Sequence, residues 1–159
     1  MMSLLVTAAL IAPILCVLCV KDARHRVLPN SWTLALALEG AVLRLAFGGL
    51  GGLLDGLLGG LVCSGFILLP YLMKGAGGGD VKMMFGAGIV TGLRLCVAEL
   101  LFVSVSGLVL GLGMLIAGKV AFRRKGRKDD EAYRIPFGVA IAVGTELALL
   151  FAWTLETWK

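Results

Sequence analysis

The chain has 159 residues, of which 59% are hydrophobic and 16% charged, with 23 glycines and a formal charge of +5. A soluble domain carries about 25% charged residues, and one core of this size could not hide so much apolar surface, so an integral membrane protein is the class that fits. The basic residues stand in short segments between apolar runs, which makes them topology signals rather than a nucleic-acid surface.

A helix needs about 20 apolar residues to cross a hydrocarbon core about 30 Å thick. Six spans are read on that rule. The first, Met2–Val20, has no cationic start, and its first cations, Lys21 and Arg24, follow the run. It reads as a retained span and not as a secretory signal. The second, Ser31–Phe47, is interrupted by Glu39 and Arg44, close to one turn apart and expected to pair with each other. Leu53–Met73 is the third. The fourth, Val81–Leu93, is short: counted from Asp80 it reaches about 21 Å, so it is expected either to begin below the membrane surface or to thin the bilayer locally. Leu95–Gly118 and Pro136–Thr154 complete the set. The predicted fold class is therefore all-α, a polytopic membrane protein with six transmembrane helices in one domain, 1–159.

With the N-terminus outside, connections 21–30, 74–80 and 119–135 face the cytosol. Together with Lys82 they hold 12 of the 15 lysines and arginines, the bias that the positive-inside rule requires. The segment from Arg123 to Glu131 reads as a solvated connection.

Two aspartates sit where apolar runs meet these loops: Asp22 in KDARHRVLPN and Asp80 in GAGGGDVKMM. The glycines before Asp80 permit backbone that other residues cannot adopt, and irregular backbone at membrane depth must be buried or line a wet cavity. If both carboxyls share a site, repulsion sets their protonation apart. One can then activate water while the other polarises a carbonyl. Other chemistries lack parts. His25 is the single histidine, which excludes a multi-histidine metal site, and Ser31, Ser64, Ser104 and Ser106 have no base nearby in sequence. Cys16, Cys19, Cys63 and Cys96 lie in apolar runs and read as small hydrophobes. No metal or cofactor is expected. Asp55 and Glu99, near span ends, are expected to reach interfacial water. Glu146, in mid-span, is expected to face the bundle interior. On the residues alone, three readings stay open beside the protease: an aspartate that only caps a helix, ion ligands of a small transporter, and a non-catalytic scaffold.

The chain resembles the type IV prepilin peptidases, membrane aspartic proteases of the GxGD kind. Asp22-x-Arg24 followed by Val27-Leu28-Pro29-Asn30 is similar to that family's first motif. Gly77-Gly78-Gly79-Asp80-Val81-Lys82 is similar to its second, and Ile135-Pro136-Phe137-Gly138 to its Pro-Phe-Gly element. The resemblance implies that Asp22 and Asp80 are the catalytic pair. It implies that Gly77, Gly79, Lys82, Pro29, Asn30, Pro136, Phe137 and Gly138 shape the site. It also implies cleavage of the leader of a prepilin or pilin-like protein at the cytosolic face of the inner membrane, in the manner of the compact peptidases of Flp-type pili. Other GxGD proteases cut other leaders, such as preflagellins. The cysteine-bearing N-terminal region of longer members is not matched here, so methyl transfer is not expected. The two aspartates are expected to lie too far apart for a direct hydrogen bond in some resting states, with helix movement assembling the site.

Overall fold

The computed structural model describes residues 2–25, 27–73, 76–116 and 136–158. Arg26, Lys74 and the basic run 119–134, on which much of the topology expectation rests, lie outside the described residues. The rest is helical, with no strand among the described residues. The helices are α1 (Met2–His25), α2 (Asn30–Leu72), α3 (Gly78–Thr91), α4 (Cys96–Ile116) and α5 (Phe137–Thr157), with a 3₁₀ turn at Leu93–Leu95 leading into α4.

Among the described residues four helical segments are long and apolar enough to cross a membrane, against the six expected: Leu4–His25, Asn30–Leu72, Leu93–Ile116 and Phe137–Thr157. The second and third expected spans lie within one 43-residue helical stretch, α2, as two arms on either side of Gly49. α3, at 14 residues, is about 21 Å long, shorter than the hydrocarbon core, as its expected length implied.

α2 is not a straight rod. Gly49 has φ 60° and ψ −157°, a backbone state essentially reserved for glycine. Residues 44 and 55 would stand about 16 Å apart along one straight helix. Instead the Arg44 Nη1 lies 3.2 Å from Asp55 Oδ2, so the chain doubles back at Gly49. The two arms enclose α3. Gly40 of one arm and Gly56 of the other both close on Ile89, while Leu36 and Gly60 meet Gly86 and Phe85. Contact is closest where Gly88 faces Gly59. A Cβ on Gly88 would lie 2.7 Å from the Gly59 carbonyl oxygen and 2.8 Å from Gly60 Cα. Only a glycine surface lets a short helix sink this far between two others.

The far end of α3 finishes inside the protein and its last carbonyls need partners. Arg44 supplies them: its Nε donates to Ile89 O at 3.2 Å and to Val90 O at 3.0 Å. Its positive charge also suits the negative end of the helix dipole. The expected Glu39–Arg44 pair is thereby corrected. Fold-back of α2 offers Arg44 a carboxylate from the other arm and a helix end to cap, and Glu39 offers neither. Arg44→Met is expected to lower stability by about 2 kcal/mol, the scale of hydrogen bonds to a charged group. Arg44→Met with Asp55→Leu should recover part of that loss, because the orphaned carboxylate goes too. Thermal midpoints of both variants in detergent check this; a double variant worse than the single one contradicts it.

α5 is the most buried of the helices long enough to span. Half of its apolar window is buried inside the protein, against 17% for the segment containing α4. Glu99 in the first turn of α4 is fully buried, not at an interface as expected. It accepts hydrogen bonds from the Thr91 hydroxyl, from Thr145 Oγ1 at 3.2 Å and from Cys63 Sγ at 3.3 Å. This carboxyl ties the end of α3 to α5 and to the second arm of α2. Glu146 is half-buried, and its Oε1 is buried without a hydrogen-bond partner among the described residues.

Candidate active site

Asp22 occupies the last turn of α1 and is 5% exposed. The helix outruns the expected first span by one turn, so Asp22 belongs to a helix end rather than to the loop. Asp80 stands in the first turn of α3 and is 8% exposed. The end of α1, the 27–29 loop and the starts of α2, α3 and α5 thus carry the described residues of the three sequence motifs, Ile135 lying outside them.

The Pro-Phe-Gly element meets Asp22. Pro136 precedes the first residue of α5, the position where a missing N–H costs nothing. The Val139 N–H, one of the free donors of that first turn, points to Asp22 Oδ2 at 3.3 Å and to Pro136 O at 3.3 Å. A negative side chain placed there also meets the positive end of the helix dipole. Gly138 is buried against the same carboxyl, and a Cβ added to it would lie 2.8 Å from Asp22 Oδ2. Phe137 turns the other way, onto Gly107 of α4, and anchors the start of α5.

Asp80 is held by its own helix. Its Oδ2 accepts from the Gly77 N–H at 2.7 Å, while its backbone N–H donates to Gly77 O at 3.1 Å. Gly77 is extended (φ −89°, ψ 156°), so its role is compactness beside Asp80 rather than an unusual backbone angle. A Cβ there would come within 3.3 Å of Asp80 Oδ2.

The 27–30 loop joins the two aspartate segments. Leu28 lies over Gly79, where an added Cβ would stand 2.8 Å from Leu28 Cβ. Pro29 starts α2, its carbonyl accepting from Trp32 and Thr33 N–H at 3.1 and 3.2 Å. Lys82 Nζ donates to Asn30 Oδ1 at 2.8 Å. Beside that bond opens an apolar groove lined by Leu34, Ala37, Val81 and Phe85 with Thr33 and Ser64.

All of the sequence-expected site residues therefore fall at one end of the bundle. Asp22 is brought to Gly138 and Val139, Leu28 to Gly79, and Asn30 to Lys82. Sequence reading missed the Val139 amide, whose backbone donor leaves no side-chain signature. It also missed Leu28 as the residue that Gly79 accommodates.

The description "Type IV leader peptidase family" matches residues 9–112 of the chain, a stretch that includes both aspartates but not the Pro-Phe-Gly element. A "Prepilin leader peptidase/N-methyltransferase" of Bacillus subtilis (strain 168) is 32% identical over 100 residues, 60% of this chain and 36% of that protein. A protein of the same description from Aeromonas hydrophila is 27% identical over 160 residues, 95% of this chain and 51% of that protein. The chain thus spans between about a third and half of the length of these relatives. No solved structure matches it.

Proposed function

We propose, from the premise that this chain belongs to the type IV leader peptidase family, that it is a membrane aspartic endopeptidase in which Asp22 and Asp80 activate water. The observation that carries the reading is the meeting of three separated motif segments at one end of the bundle, around two buried aspartates. Charge inside a membrane protein marks function by default, and Gly77 and Gly138 leave room beside these two carboxyls.

The two carboxyls share one proton in the active form. The ionised one takes a proton from water, and the hydroxide formed adds to the scissile carbonyl carbon. The protonated one gives its proton to the carbonyl oxygen. Collapse of the tetrahedral species breaks the C–N bond, and the leaving nitrogen takes a proton back from the pair. No covalent enzyme intermediate forms. Val139 and Gly77 N–H groups fix the carboxyl rotamers, so that little reorganisation is needed at the moment of reaction. Substrate binding draws the two aspartates into contact across the site.

The substrate class follows the relatives' names: the leader of a prepilin or pilin-like membrane protein, cut at the cytosolic face of the cytoplasmic membrane. The proposal covers peptide cleavage by 1–159 as one membrane-embedded unit. The test is co-expression with a prepilin carrying its leader. A product shortened by the leader, with its new N-terminus just before the hydrophobic stretch by mass spectrometry, is expected. Uncut substrate beside abundant wild-type protein contradicts the reading.

A further inference from the structure

We propose that the cavity at the end of the bundle opposite the aspartates binds the phosphodiester of a membrane phospholipid. The proposal is independent of the peptidase reading. The cavity is about 380 Å³ and is lined by Arg44, Arg94 and Glu156 together with the apolar wall of Leu43, Phe47 and Leu155. That is the volume of a small-ligand site.

Its depth suits a lipid head group. Leu4 at the start of α1 and Thr91 at the end of α3 also line it, whereas Asp22 ends α1 and Asp80 begins α3. From Leu4 to Asp22 is about 27 Å of helix, close to the thickness of the hydrocarbon core. Aspartates at one membrane face therefore place the cavity at the other. Arg94 lies at the first turn of the apolar segment Leu93–Ile116, where a long cationic side chain reaches the interface.

The chemistry on offer is amphipathic. Arginine has five N–H donors. The Arg44 Nε–H is shared by two carbonyls and one Nη1–H goes to Asp55, so further donors remain on the guanidinium that lines the cavity. Arg94 is exposed, and no carboxylate among the described residues forms an ion pair with it. Two guanidinium groups beside an apolar wall fit a phosphate oxygen pair with acyl chains lying against Leu43, Phe47 and Leu155. The apolar wall favours the lipid over a free phosphate, which has nothing to lay against it.

The test is the thermal midpoint of the full chain in detergent with three probes. Dioctanoyl phosphatidylglycerol is expected to raise it by about 4 °C when well above its Kd. Dioctanoylglycerol, which lacks the phosphate, and glycerol phosphate, which lacks the chains, should each raise it by less than about 1 °C on the same basis. Arg94→Gln should remove most of the phosphatidylglycerol effect. Arg94→Lys, which keeps the charge, should retain part of the effect, a rescue that a damaged fold cannot produce. An equal rise with dioctanoylglycerol, or a full rise in Arg94→Gln, overturns the proposal. So does an equal rise with glycerol phosphate, which would make the cavity a simple anion site.

Discussion

Asp22→Asn and Asp80→Asn each lower leader cleavage by about 10²–10⁴-fold, the range for loss of a positioned acid or base, at unchanged membrane levels. Asparagine keeps the volume and an acceptor oxygen, so the Val139 and Gly77 amides still have a partner. What it removes is the ability to take or give a proton. The two losses should not multiply: the double variant should cleave about as slowly as either single one, because residues acting as a unit are non-additive. The wild-type rate should follow a bell-shaped pH dependence that belongs to the pair. Full cleavage by either single variant would remove that aspartate from the mechanism.

Gly138→Ala is the second large effect, and it separates geometry from chemistry. The added methyl would stand 2.8 Å from Asp22 Oδ2, 3.1 Å from Cγ and 3.2 Å from Cβ. Three atoms of one side chain are crowded at once, so the carboxyl must move by several tenths of an ångström. A displacement near 1 Å costs about 10²-fold in rate. Turnover is therefore expected to fall by about 10- to 100-fold while the apparent KM changes little. Gly65→Ala is the control. Nothing lies within 4 Å of a Cβ there, and alanine in a helix interior is about 1 kcal/mol better than glycine, so cleavage should be unchanged. Equal activity of Gly138→Ala and Gly65→Ala would mean that the contact with Asp22 does not position it.

The parts of the site that were legible in the sequence are those that local chemistry marks. Asp22 and Asp80 stand out because a carboxylate at the edge of an apolar run needs a reason. Gly77, Gly79 and Gly138 stand out because their motifs repeat a known spacing. The break between the second and third expected spans, at 48–52, brackets Gly49, since the glycine-rich stretch there is the natural place for a reversal.

Partners across the fold were not legible. Arg44 pairs with Asp55 and caps α3 only because α2 doubles back, and from sequence the nearer Glu39 looks equally suitable. Glu99 stands five residues from Arg94, which suggests an interface. Thr91, Cys63 and Thr145, which surround it, are ordinary members of apolar runs until the helices pack. The shortness of α3 was legible from its apolar length, and the arginine that caps its far end was not.

That short helix matters for how the candidate site is held. α3 carries Asp80 at one end and is fastened at the other by Arg44 and Glu99. Its glycine-lined faces let it lie deep between the arms of α2.

The most direct test of the account is reconstitution. Purified 1–159 in liposomes is mixed with a purified prepilin, with Asp80→Asn protein as the parallel sample. The account predicts that the wild-type chain alone removes the leader and that the variant leaves the prepilin intact over the same time. Intact prepilin in both samples, with the wild-type helices folded by circular dichroism, would contradict the claim that this chain acts as a two-aspartate peptidase.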